Sequence, residues 1–178
     1  ESYTVDFPYR LEDLESVVGK RLLPLTRLMV ENEKFVEEAK EKEIVLLVYG
    51  SPLMATTHIS IILKCKKENI SYKILENASI FDAISETGLQ IYKFGRTASM
   101  PAWTDKYKPS SFIDLVKDNK KIKAHSLILI DIGLKYKNAL QQLKESAEMK
   151  INLDKLIICS KMGTEERKIY FGDYEQVK

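Results

Sequence analysis

The chain has only two cysteines, Cys65 and Cys159, in 178 residues. They lie far apart, so neither a disulfide framework nor a paired-thiolate metal site can be read from them. Seven glycines occur, and no two are separated by a single residue. That spacing excludes a G-x-G-x-x-G dinucleotide fingerprint, and neither a P-loop nor a G-x-S-x-G nucleophile elbow is present. No apolar run approaches the roughly 20 residues of a membrane span, and no stretch has the pattern of a signal peptide. Neither sign of charge dominates. The 28 basic and 26 acidic residues are interspersed and leave +2, which is no electrostatic footprint for nucleic acid. Repeats, low-complexity stretches and a long linker are also missing. Together these absences predict a reducing, cytoplasmic setting, with no membrane and no direct nucleic-acid partner.

What is there is a globular composition, 44% hydrophobic and 30% charged. A chain of this length can bury roughly 70% of its unfolded surface without staples. Apolar runs alternate with helical periodicity. Residues 11–18 predict a helix ended by Gly19, and residues 28–41 predict a second, with Val30, Phe35, Val36 and Ala39 inward. A third is expected from about Thr57 to Lys67. Arg21–Leu25, Ile44–Tyr49 and Tyr72–Leu75 are strand candidates, the second apolar enough to be buried on both faces. Ser79 is placed as an N-cap, with Asp82 in the position of an acidic capping box. In the second half, strands are expected at Leu89–Phe94, Thr97–Trp103 (broken by Pro101), Ser126–Ile132, Leu156–Ser160 and Lys168–Phe171. Helices are expected over 111–119 and 137–149. The alternation predicts an α/β fold with mostly parallel pairing. A boundary near Gly95 divides it into domains 1–95 and 96–178.

Few residues point to chemistry by themselves. His58 and Cys65 share a helix face, but a metal would need further ligands and none is near. His125, before an apolar strand, reads as a satisfied structural histidine before it reads as a base. The loops after strands say more, because ligands in open α/β sheets sit beyond the carboxyl ends of the strands. Gly50–His58 and Asn77–Ile80 offer small residues, hydroxyls and backbone N–H groups at helix starts, suited to a carboxylate or a ribose. Ordinary capping also explains Thr56, Thr57 and Ser79, and on the residues alone it ranks ahead. Asp131 ends an apolar strand, where it could bind a ribose or an amine or cap a turn. Trp103, Tyr107 and Lys108 form an aromatic-basic cluster that fits either a partner contact or a half-buried core edge. The runs Glu37-Glu38 and Lys64–Lys67 read as solvated helix faces.

Three stretches, GSPLMATTH, ENASIFDAISETGLQIYKFG and HSLILIDIG, follow one another in an order and spacing that resemble the diphthine synthase family. There the first usually reads G-D-P-x-x-A-T-T-H, the second centres on N-A-S-I and G-L-Q-x-Y-x-F-G, and the third reads H-T-L-x-L-D-I. Glu1-Ser2-Tyr3-Thr4, Leu25-Thr26-Arg27 and Pro109–Phe112 add smaller echoes, so the likeness spans nearly the whole chain. This family is a branch of the tetrapyrrole-methylase-like enzymes. The resemblance implies two α/β domains with S-adenosylmethionine in the cleft between them, and no metal. It implies a homodimer that methylates the amino group of a modified histidine on translation elongation factor 2, in diphthamide synthesis. Carried over position by position, it assigns cofactor contacts to Ser51, Met54, Ser79, Ile80, Ile130 and Met162.

Three departures from the family pattern accompany the resemblance. The family's first strand with its G-L-G-L loop is missing, and so are its last strands with a P-x-H segment. The native protein is therefore expected to be longer, or completed by another chain. In addition, Ser51 stands where the family has an Asp, which removes a carboxylate beside a positively charged cofactor. Asp131 or His125 could accept the acceptor's proton, and no catalytic residue is assigned. Two rival readings remain: a tetrapyrrole or ribosomal RNA methyltransferase of the same fold, and a degenerate, non-catalytic binding protein.

Overall fold

A computed structural model of the chain describes residues 9–148 and 150–178. The fold is mixed α/β, and the chain divides between Ile80 and Phe81 into two compact units.

The first unit is built around helices. Helix α1, Leu11–Val18, carries Glu12 and Asp13 in its first turn, where carboxylates favour the helix dipole. It stops at Gly19, whose φ of 68° is left-handed and whose N–H bonds the Glu15 carbonyl at 2.8 Å. The expected long second helix is two short ones, α2 (Arg27–Glu31) and α3 (Lys34–Glu38). The break lies where the Asn32 side chain accepts the Lys34 N–H at 3.0 Å and Glu33 turns to a φ of 57°. A short polar side chain here takes a backbone donor from the helix. Val30 and Val36 are buried as expected. Helix α4, Ile59–Lys67, then follows.

Ion pairs tie α3 to α4. Lys64 Nζ lies 2.8 Å from Glu37, and Lys40 bridges Glu37 at 3.1 Å and Glu68 at 2.8 Å. The charge runs therefore face solvent but also pair across helices. Lys64 and then Lys40 hold the Glu37 carboxyl below the ordinary carboxylate range. Glu68 and Glu37 in turn raise Lys40. A carboxyl depressed by folding adds stability above its unfolded value, and that stability is lost as pH falls through the folded one. Lys64→Met is thus expected to flatten the acid side of the melting-temperature-against-pH curve, and added salt should mimic it. An unchanged curve in the variant would remove these pairs from the account of stability.

Three expected strands of this unit are not strands. Among the described residues, Arg21–Leu25, Ile44–Tyr49 and Tyr72–Leu75 join no sheet. Ile44–Tyr49 keeps the alternation of an extended chain, with Ile44, Leu46 and Val48 half-buried and Val45, Leu47 and Tyr49 exposed. Apolar β-branched residues favour extension, but a strand also needs a neighbour for its N–H and C=O groups.

The second unit holds the paired strands. Strand β1 (Ala98–Met100) runs parallel to β2 (Ile128–Ile130), with Ser99 opposite Leu129. Strand β3 (Leu156–Ser160) runs antiparallel to β4 (Lys168–Gly172). Parallel pairing is thus half of the pattern and not most of it. The stretch Leu89–Phe94 is not a strand but carries a 3₁₀ turn at Ile91–Lys93. Phe94 bridges to His125, and the Gly95 N–H bonds the His125 carbonyl at 2.9 Å. Residues 81–95 therefore belong with the second unit, ahead of the boundary expected near Gly95.

Helices α6 (Ser111–Lys121) and α7 (Tyr136–Ala147) supply most of the core. An intervening short helix, α5 (Ile80–Ala83), starts at the junction of the units. Phe112 and Ile113 from α6 and Ala139, Leu143 and Ala147 from α7 form one buried cluster with Ala98 and Met100 of β1. The last element, α8 (Tyr174–Val177), carries a capping box between Asp173 and Gln176.

Candidate functional site

In the first unit, two loops singled out from the sequence lie side by side. A Cβ at Gly50 would stand 3.6 Å from the Ala78 carbonyl oxygen. That is an ordinary contact distance, but Gly50 has a φ of 92°, where a side chain is strained, so the turn suits glycine. Ser51 and Ser79 flank this approach, both half-buried. Met54 is 49% exposed, and Ile80 opens α5 at 37% exposure. The structure thus brings the main chain of the two small-residue loops together at Gly50 and Ala78, with Ser51 and Ser79 the next residue along each.

The Gly50–His58 loop is held from inside. The Pro52 carbonyl receives His58 Nδ1 at 2.7 Å and Thr56 Oγ1 at 3.3 Å. A carbonyl only accepts, so Nδ1 carries the proton. His58 is 4% exposed. Buried and bonded to the Pro52 carbonyl, it shapes the loop. Cys65 is buried in the same unit. In the second unit, burial and then the nearby Glu86 carboxylate push the Cys159 thiol up, away from the reactive thiolate.

The second unit places its candidates at strand ends. Ile130 is the last residue of β2 and is 46% exposed. Asp131, next to it, spends both carboxylate oxygens on backbone: Ala102 N–H donates to Oδ2 and Ile132 N–H to Oδ1, each at 3.0 Å. These bonds hold the chain where β1 and β2 end, and the exposed carboxylate keeps further acceptor sites. His125 packs edge-on to Phe94, with ring centres 5.5 Å apart, while its backbone bridges the same residue. Met162 is half-buried in the turn between β3 and β4, between Lys161 (φ 52°) and Gly163 (φ 80°). Of the aromatic-basic cluster, Trp103 and Lys108 meet: Lys108 Nζ stands 5.6 Å from the Trp103 ring centre, and Trp103 Nε1 donates to the Pro109 carbonyl at 2.9 Å.

Two buried amides escaped the sequence reading. Asn119 on α6 is 2% exposed and Gln142 on α7 is 6% exposed. Each grips main chain near one end of β1. Only helical phase could have shown this. Gln142 shares its face with Ala139, Leu143 and Ser146, whereas the identical residue Gln141 faces solvent.

Comparison with known proteins gives the geometry a family. The model of the tetrapyrrole (corrin/porphyrin) methylases matches residues 12–178. The diphthine methyl ester synthase of Saccharomyces cerevisiae is 40% identical over 126 residues, covering 70% of this chain and 42% of that protein. The human diphthine methyl ester synthase is also 40% identical, over 137 residues, covering 76% of this chain and 48% of that one. This chain therefore spans less than half the length of these curated relatives. Among solved structures, a protein assigned as a diphthine synthase in Entamoeba histolytica superposes with a TM-score of 0.82 at 30% identity. That match covers 97% of this chain and 72% of the other. A family model that runs from α1 to the last residue, on a mixed α/β fold, settles the kinship: the chain belongs to the tetrapyrrole (corrin/porphyrin) methylase family.

Proposed function

We propose that this chain is the S-adenosylmethionine-dependent methyltransferase part of a diphthine synthase. Its substrate is the modified histidine of translation elongation factor 2, and its product S-adenosylhomocysteine. The observation that carries this reading is the 40% identity to diphthine methyl ester synthases over 70% of the chain. The two-domain tetrapyrrole-methylase arrangement, a homodimer and a cytoplasmic setting belong to the same reading. Free rather than paired cysteines support the setting.

The residues present suit such a cofactor. The main chain at Gly50 approaches that at Ala78, and the adjoining Ser51 and Ser79 are hydroxyl residues of the kind that suits a ribose or a carboxylate. Met54 and Ile80 in the first unit, and separately Ile130 and Met162 in the second, are apolar residues of the kind that suits an adenine or a thioether chain. The bound cofactor supplies an activated methyl group, so the chemistry is largely its own. The chain's residues have to orient it and hold the acceptor in line, with reacting atoms roughly 3–3.5 Å apart. Ser51 keeps the site neutral where the family has a carboxylate. Its hydroxyl still hydrogen-bonds, more weakly than an ion would.

The acceptor atom is an amine nitrogen in the reading taken from the motifs. The relatives' own name, methyl ester synthase, favours a second acceptor, a carboxylate oxygen of the same modified side chain. Calorimetric titration of the chain with S-adenosylmethionine and S-adenosylhomocysteine tests the first step, with binding on the order of micromolar expected. Labelled methyl transfer to elongation factor 2 tests the second. Mild base releases an ester methyl as methanol and leaves an N-methyl in place. A folded chain that binds neither cofactor form would overturn the reading and favour a non-catalytic relative, to which the neutral Ser51 already points.

A further inference from the structure

Both ends of β1 are gripped by a buried side-chain amide, and the two grips are alike in chemistry but opposite in place. At the amino end, Asn119 of α6 takes the Arg96 N–H on Oδ1 at 2.9 Å and gives Nδ2 to the Arg96 carbonyl at 2.9 Å. At the carboxyl end, Gln142 of α7 takes the Trp103 N–H on Oε1 at 3.0 Å and gives Nε2 to the Pro101 carbonyl at 2.9 Å. The residue between, Ala102, is held by Asp131 Oδ2 at 3.0 Å. Three consecutive residues just past β1 are thus fixed by three bonds from two other elements.

This fixing is not needed to pair the strands. The ladder has ended at Met100, whose carbonyl already receives the Asp131 N–H at 3.0 Å. Pro101 has no N–H and stops the ladder. Its carbonyl would be left without a partner in a half-buried place, and Gln142 supplies one. The held segment runs directly beside Ile130 and Asp131, at the carboxyl ends of two parallel strands. In open α/β sheets that is where ligands sit. Trp103 is further locked by its indole bond to Pro109.

We propose that Gln142 is a positioning residue for ligand binding: it holds Pro101–Trp103 as a preformed wall beside Ile130, whereas Asn119 acts on stability alone. This rests on the reading of Ile130 as a cofactor contact. Binding walls held by buried side chains carry no ordering cost when the ligand arrives, so releasing one weakens binding without touching the ligand.

The test uses the whole chain and S-adenosylhomocysteine. Gln142→Leu and Gln142→Met keep the volume and remove both bonds, and Met adapts to the site should Leu fail to fold. Asn119→Ala is the matched control, a buried amide lost from the same unit. Melting temperature should fall in all three. Calorimetry is expected to show affinity weakened about tenfold or more in the Gln142 variants and less than about twofold in Asn119→Ala. In a methylation assay the KM for the methyl donor should rise more than kcat falls, the pattern of lost binding and not of lost chemistry. Equal affinity losses in the Gln142 and Asn119 variants, or none in either, would overturn the assignment. Absence of binding in the parent chain would overturn the cofactor reading on which it stands, and is distinguishable because no variant is needed to see it.

Discussion

Gly95→Ala is expected to destabilise the second unit by about 3 kcal/mol, because it sets a methyl group against a side chain that has nowhere to go. A Cβ at Gly95 would stand 2.1 Å from Asn119 Oδ1 and 2.5 Å from its Cγ. Asn119 is 2% exposed and makes hydrogen bonds to the Arg96 N–H, the Arg96 carbonyl and Ser126 Oγ. Moving it abandons those three bonds, each about 1 kcal/mol net, and leaves buried groups unpaired at about 1–3 kcal/mol. Moving Gly95 instead breaks its 2.9 Å bond to the His125 carbonyl. Either way the start of β1 comes loose. Urea unfolding measures the loss as a lower midpoint. Gly88→Ala separates collision from backbone strain, since Gly88 has a φ of 79° but nothing within 4 Å. It should lose only about 1 kcal/mol. The double variant Gly95→Ala/Asn119→Ala should be hardly worse than Asn119→Ala alone, because the two changes remove the same contact. Additive losses would mean that Asn119 is not what makes Gly95 necessary.

That contact also shows where sequence reading stops. Helix α1 was legible because its signals are local: an apolar face, acidic residues in the first turn and Gly19 in the left-handed region at its end. Strands β1 to β4 and helices α6 and α7 were legible for the same reason, each a short periodic run between turn residues. The first unit's strand candidates failed because pairing is not local. Nothing in Ile44–Tyr49 states whether a neighbour will lie beside it. The split between α2 and α3 turned on one Asn side chain competing for a backbone N–H. The loops at Gly50 and Ala78, which the structure brings together, stood out as small-residue loops after apolar runs, but only the resemblance assigned cofactor contacts to them. Local patterns ranked capping ahead of a ligand for Thr56, Thr57 and Ser79. Asn119 and Gln142 were invisible because an amide on a helix looks the same in sequence whether it faces water or a strand end. The commitment of Asp131 to Ala102 and Ile132 was equally hidden, since the Ala102 contact joins residues 29 apart.

Ile113→Ala should cost about 3–4 kcal/mol, among the larger losses open to a single core side chain. Ile113 is fully buried, in one cluster with Ala98 and Met100 of β1 and Ala139, Leu143 and Ala147 of α7. Three of those neighbours are alanines, which cannot swing into the void, so part of the cavity will persist. Ile122→Ala, just past the end of the same helix and 71% exposed, should cost under about 0.5 kcal/mol. Ile113→Val, which leaves a smaller void, should fall between, at roughly 1 kcal/mol. This cluster holds β1, α6 and α7 together, and those helices carry Asn119 and Gln142. A cavity at Ile113 therefore loosens both grips at once, whereas Gln142→Leu loosens one. If ligand affinity depends on the carboxyl-end grip, Ile113→Ala should weaken S-adenosylhomocysteine binding even where the chain is fully folded, at low temperature. Asn119→Ala, with a comparable stability loss, should not. Unchanged affinity in folded Ile113→Ala would show the wall beside Ile130 to be independent of the core beneath it. Full stability in that variant would show that the cluster does not hold the unit together.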